Sequence, residues 1–146
     1  MTQEAQKQIA EAKTIEEKIK CVNKILLDGE PNNISVDNYS GFTGYKPMYL
    51  IDAMNIVFKI GGWGFEEISS EIVTHQTEKG NSSLAIAKVR VFLKGVDFQP
   101  VAWGQSRVTK GDIGDAKKGA QTDAIKKALS YFSCGNRAFH GLLKAA

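Results

Sequence analysis

The sequence predicts an α+β fold in which an antiparallel β-meander, about three main strands plus a small hairpin, packs with N-terminal, middle and C-terminal helices. Three observations carry that expectation. Two apolar stripes at helical spacing occupy the first half of the chain, three strand-like runs separated by turn signals follow, and a long amphipathic stretch comes last. The 146 residues suffice for one domain to bury a core without a disulfide framework or structural metal. A single domain over 1–146 is expected, with an N-terminal helix over about 3–28, a sheet-and-helix core over about 30–133 and a tail over 134–146.

The first stripe is Ile15, Ile19, Val22 and Leu26. Thr14 and Glu17 have the spacing of a capping box, in which each side chain satisfies an amide of the first turn, and Gly29 suits a left-handed C-terminal position. The polar run Thr2 to Lys13 is read as an extension of that helix or a frayed end. Short extended stretches at Ile34 to Val36 and Asn38 to Phe42 suggest a small hairpin. Pro47 then suits the first position of a helix, having no amide hydrogen to lose, and Leu50, Ile51, Met54, Val57 and Phe58 follow at helical spacing up to Gly61-Gly62. Strands are expected over Trp63 to Thr77, Ser82 to Leu93 and Phe98 to Val108, separated by KGN and KGVD turns. On the middle strand Ala85, Ala87, Val89, Val91 and Leu93 form a core face, opposite Leu84, Ile86, Lys88, Arg90 and Phe92. Asp115 is placed as the cap of the last helix, whose apolar stripe is Gln121, Ile125, Ala128, Leu129 and Phe132 with Asp123, Lys126, Lys127 and Ser130 facing away. Phe139, Leu142 and Leu143 are read as apolar anchors of the tail.

Composition excludes several classes. The N-terminus is polar and mixed in charge, and no run approaches the ~18 apolar residues of a membrane span, so an intracellular, soluble protein is expected. Cys21 and Cys134 belong to no C-x-x-C pair and are read as buried free thiols. Phosphate-loop, dinucleotide, zinc-protease and nucleophile-elbow signatures are absent, and no carboxylate pair is supported by Glu66, Glu67 and Glu71, of which Glu67 and Glu71 are placed on one strand face and Glu66 on the other. His75 and His140 are read as structural or surface residues. No enzyme, metal or cofactor is expected. Charge, however, is uneven: Met1 to Ser106 holds 11 Lys and Arg against 13 Asp and Glu, whereas Arg107 to Ala146 holds 8 against 3. A basic C-terminal segment of this kind hints at a nucleic-acid or membrane partner.

Two blocks sharpen that hint. MYLIDAMNIVFKIGGWGFEEI contributes Asn55, Phe58, Gly62 and Trp63, and GDAKKGAQTDAIKKALSYFSCGNRAF contributes Ala116, Ala120, Thr122, Asp123, Ala124, Ile125, Lys126, Lys127, Ala128, Leu129 and Phe132. With three strands between them, they resemble the Rad fifty-two family of single-strand annealing proteins, including phage and bacterial relatives of the Sak and DdrA type. The resemblance runs from about the first helix to Phe132.

The resemblance implies a non-enzymatic protein that binds single-stranded DNA and anneals complementary strands without ATP in recombination and double-strand-break repair, on a basic groove of a homo-oligomeric ring. It places Lys126 and Lys127 in the groove, with Arg107 or Lys110 before the helix and Lys79 in the first strand turn. Lys117 and Lys118 of the same helix are counted with them. Where eukaryotic members carry an Arg at the start of the second helix, this chain has Tyr49, with Lys46 nearby as a substitute cation and Tyr49 itself able to stack on a base. Partners implied are single-stranded DNA, further copies of the chain, and a recombinase or single-strand-binding protein. The expected location is cytoplasmic in a bacterium or phage-infected cell, nuclear or mitochondrial in a eukaryote. Two other classes fit the residues alone: a double-stranded RNA or structured nucleic-acid module, and a protein-interaction domain whose cations are simply solvated.

Overall fold

Local signals start most of the helices. A computed structural model describes residues 1–37 and 41–144. The hairpin expectation for Asn38 to Phe42 therefore lies partly outside the described residues. The chain divides into two units, Met1–Trp63 with Phe132–Ala146, and Gly64–Tyr131.

The first unit begins with α1 (Gln3–Glu11) and α2 (Ile15–Asp28). In place of the one helix expected over about 3–28 there are two, because Thr14 caps α2 and a cap needs extended backbone. Its hydroxyl accepts the Glu17 N–H at 3.1 Å, and Ala12 before it is extended. Glu17 does not return the bond to an amide: its carboxylate accepts the Thr14 hydroxyl at 3.1 Å. Gly29 is not left-handed, with φ −84° and ψ −8°. Its missing Cβ has another use. An added Cβ would lie 2.9 Å from Asn33 Nδ2, the amide that donates to the Leu26 carbonyl at 2.8 Å and closes the helix end.

Two short strands follow, β1 (Ile34–Val36) and β2 (Thr43–Tyr45), paired antiparallel with Ile34 opposite Tyr45. The second strand thus starts where the expected one ends. Pro47 opens α3 (Pro47–Phe58), which packs against α2 and buries Leu50, Ala53, Met54, Val57 and Phe58. The tail adds Leu143 to the buried set, whereas Phe139 and Leu142, expected as anchors beside it, are exposed. Cys134 is buried and its thiol is pushed up to about 12 by that burial; Cys21 is only partly buried.

Two polar clamps hold the tail. Asn23 donates to the Ser133 carbonyl at 2.9 Å and accepts the Gly135 N–H at 2.8 Å. Arg137, in the single turn α5 (Asn136–Phe139), grips Glu30 through Nε and Nη2, both at 3.0 Å, and the Tyr45 hydroxyl donates to the same carboxylate at 2.8 Å. The Arg137 hydrogen bond, with help from Tyr45, holds the Glu30 carboxyl below its ordinary value against the opposing effect of burial. Because the folded pKa lies below the unfolded value of about 4.3, this contribution to stability is complete above that pH and is lost as pH falls through the folded pKa. Denaturant unfolding at pH 6 and pH 3 is expected to show a loss of stability in acid that Glu30→Gln reduces. An identical pH dependence in both proteins would remove this role from Glu30.

The second unit is a three-stranded meander, β3 (Trp63–Thr77), β4 (Gly80–Leu93) and β5 (Val101–Arg107), in that order, under one long helix, α4 (Ile113–Ser130). β4 and β5 pair antiparallel, with Lys88 opposite Trp103 and Leu84 opposite Arg107. The expected inner face of β4 is buried, residue for residue. α4 is capped by Asp112, not Asp115: the Asp112 carboxylate accepts the Asp115 N–H at 3.0 Å, so Asp115 sits inside the first turn. Its buried face is Ala116, Ala120, Ala124, Ile125, Ala128 and Leu129, while Gln121 and Phe132 are only half-buried. Small residues dominate for a reason. At Gly104 on β5 an added Cβ would lie 2.2 Å from the Ala120 carbonyl oxygen and 2.3 Å from the Ala124 nitrogen, so helix and strand meet backbone to backbone.

The alternation of β3 slips once. Glu66 meets Arg90 on the outer face, yet Thr74, also even-numbered, shares a hydrogen bond with Ser83 on the side of Ala85. One extra residue lies between them, as in a β-bulge, and Ile72 packs inward. Glu66 thus faces outward with Arg90, and the unbroken alternation on which the faces of Glu66, Glu67 and Glu71 are assigned does not hold between Glu66 and Ile72.

Candidate nucleic-acid interface

α4 turns 100° per residue, so Lys126 and Lys127 cannot point the same way. Lys127 reaches back one turn to Asp123, Nζ to Oδ2 at 3.0 Å, with 46% of its side chain exposed. The same Asp123 oxygen accepts the Gln105 N–H of edge strand β5 at 3.1 Å. Asp123 does not simply face solvent, as expected from the sequence; it ties the helix to the strand edge and holds the Lys127 ammonium there.

Lys126 is partly buried, not turned fully outward. Burial holds its ammonium below the ordinary lysine value, the Lys127 charge adds to this, and Asp123 opposes it. A base whose folded pKa is depressed costs stability at neutral pH, a cost relieved as pH rises through the folded pKa. An anion brought to this ammonium would offset the same cost. Lys118, Thr122 and Lys126 follow at i, i+4 and i+8 and share one stripe, along which Lys118 and Lys126 are ~12 Å apart at the helical rise.

The other cations expected at the site from this unit gather toward one end. Gly119 of α4 lies against Ser106 and Ala120 against Gly104, so the helix begins near the Arg107 end of β5. Arg107, Lys110, Lys117 and Lys118 are all exposed around that β5–α4 corner, Lys110 with a left-handed φ of 54°. Lys79 occupies the β3–β4 turn beyond Leu84, the partner of Arg107, so it lies toward the same end of the sheet. Lys46 and Tyr49 belong to the other unit. There the Lys46 ammonium donates to the Asn32 carbonyl at 3.1 Å and lies 5.9 Å from the centre of the Tyr49 ring, which is 45% exposed. The two side chains expected to act separately, one as a cation and one as a stacking ring, thus lie side by side.

Sequence reasoning misses Asp123 as an edge cap, since nothing local distinguishes a carboxylate that finds a strand amide 18 positions away. It also passes over Trp103, although strict alternation along VAWGQSR, with Ala102 and Gly104 turned to α4, would have placed the indole outward. Asn55 and Trp63 are joined: the indole N–H donates to the Asn55 side-chain Oδ1 at 2.8 Å.

The family model described as Rad52/22 family double-strand break repair protein matches residues 35–140, a span that includes every cation of this interface. The chain belongs to the Rad52/22 family. Among curated proteins, none matches the chain. For a Rad52/22 protein the setting is repair and recombination of DNA, and the fold that carries the cations is the α+β arrangement expected from the sequence. Among the described residues no helix is long and apolar enough to cross a membrane, and no group of three or more His, Cys, Asp or Glu side chains could hold a metal ion.

Proposed function

We propose that this Rad52/22 protein binds single-stranded DNA and anneals complementary strands without ATP or a divalent metal, acting as a non-enzymatic homo-oligomer in which the whole chain serves as one annealing unit. The observation that carries the proposal is the basic α4 and β5–α4 corner, six cations built on or beside a helix seated directly on β5. Lys126 and Lys127 are its central contacts, with Arg107, Lys110, Lys117, Lys118 and Lys79 extending the phosphate track. Lys46 and Tyr49 are assigned a separate contact of the same kind, phosphate to ammonium and base to ring.

A net charge of +3 gives a single copy few phosphate contacts. Joining copies into a ring multiplies them. The surface proposed for joining is β3, a 15-residue edge strand with Phe65, Ile68 and Val73 exposed, since long edges invite another chain. The N-terminal helix supplies the second surface of a head-to-tail contact. Annealing itself is downhill, each stacked step contributing about 1.4 kcal/mol, so the protein need only concentrate and orient strands.

The test combines sedimentation with strand annealing. A closed oligomer at micromolar concentration, and annealing of complementary oligonucleotides that survives EDTA and the absence of nucleotide, are the expected results. A monomer with and without DNA sinks the ring, and annealing abolished by EDTA while strand binding persists sinks the metal-free mechanism.

A further inference from the structure

The sheet of the second unit has helix α4 on one face and an open face on the other. On that open face Lys88 of the central strand stands opposite Trp103 of β5, its ammonium 5.2 Å from the indole ring, and Trp103 is 52% exposed. Two residues along β4, Arg90 lies 3.5 Å from Glu66, and Phe92 beyond it is 39% exposed with its ring over Gly64. We infer that this face is a second nucleic-acid contact, a stacking platform for the bases of a single strand, with Trp103 under a base and Lys88 and Arg90 on the adjoining phosphates. The inference rests on the proposal that the protein binds single-stranded DNA, and adds a site away from α4.

Three physical points favour this occupant. A helix-backed sheet with outward aromatics is the geometry by which sheet faces stack unpaired bases, and stacking needs base faces that a duplex hides. Lys88 and Arg90 are i and i+2 on one strand, ~6.7 Å apart, a spacing that an extended backbone can follow. A second protein is a poorer match, since lysine is depleted from the cores of protein interfaces and Lys88 sits in the middle of this one. Glu66 acts as a brake, because it occupies Arg90 and repels phosphate.

The full-length chain should be titrated with oligo-dT at several salt concentrations while intrinsic fluorescence is followed. Trp103→Ala is expected to weaken binding about tenfold, from the usual contribution of one stacked base. Trp103→Phe, which keeps a ring, should bind within about threefold of wild type yet lose the quenching that dT causes in the wild-type protein. Lys88→Gln should lower the log-salt slope by about 0.7, and Glu66→Gln should tighten binding and steepen the slope. That last sign is opposite to any loss of folding, so it reads the face even where a Trp103 variant is unstable. Wild-type affinity and salt slope in both Trp103→Ala and Glu66→Gln would overturn the inference alone. A change of sedimentation with unchanged affinity per subunit would also overturn it, assigning the face to contact between copies. A wild-type chain that fails to bind dT at low salt overturns the functional proposal and this inference together.

Discussion

Gly104→Ala is expected to destabilise the sheet-and-helix unit by about 3 kcal/mol, the upper range for overpacking a well-filled core. The single added carbon would stand 2.2 Å from the Ala120 oxygen and 2.3 Å from the Ala124 nitrogen. Both are main-chain atoms, and no rotamer change can move them aside. α4 would have to lift from β5, exposing the alanine face and breaking the Asp123 bond to the Gln105 amide. Urea unfolding should show the midpoint falling by more than about 1 M for an ordinary denaturant slope. Gly114→Ala is the control, since its Cβ would meet nothing nearer than an Asp112 oxygen at 3.8 Å. It should be neutral or stabilising by less than about 1 kcal/mol. Equal midpoints for the two variants would mean that the seam between α4 and β5 can open at little cost.

Lys126→Met combined with Lys127→Gln should have the largest effect on DNA. The pair removes two cations from the track, so the log-salt slope for oligo-dT should fall by about 0.7 for each phosphate no longer neutralised, and the effect repeats in every subunit of an oligomer. These substitutions separate charge from packing. Methionine keeps the apolar stem with which a half-buried lysine covers its neighbours, and it removes an ammonium already depressed by burial. Breaking the exposed Lys127–Asp123 pair should cost no more than about 1 kcal/mol, while Asp123 keeps its hold on β5. The melting temperature should therefore barely move. Unchanged affinity and slope would place the strand away from α4.

The fold is legible in the sequence wherever the signal is local. Thr14 as a cap, Pro47 at a first turn, the inner face of β4 and the length of β3 all follow from neighbours in sequence. The misreadings share one cause, a partner distant in the chain or a competitor close by. Gly29 reads as a left-handed glycine because nothing nearby announces that Asn33 needs the space of its Cβ. Asp112 and Asp115 both suit a cap, and only the geometry of the turn decides between them. The division of the first helix is implicit in the cap at Thr14, which no residue inside a continuous helix could provide. The candidate site is legible in its residue types but less so in their surroundings: Lys126 and Lys127 look like equals in the sequence, whereas one is partly buried and the other is paired with Asp123. Periodicity counts faces, and cannot tell how far a neighbouring element reaches over them.

The seating of α4 also bears on how the molecule could be loaded. A helix that rides on long side chains can slide a little as rotamers change beneath it. Over Gly104 the Ala120 and Ala124 main chain leaves no such cushion, and the Asp123 carboxylate pins the next position of the strand edge. Any displacement of α4 along the sheet would drive backbone into backbone. The seam is thus a mechanical stop, and the backbone that carries the α4 lysines holds its place against β5. A polyanion laid along that helix would meet flexible lysine ends on a fixed base.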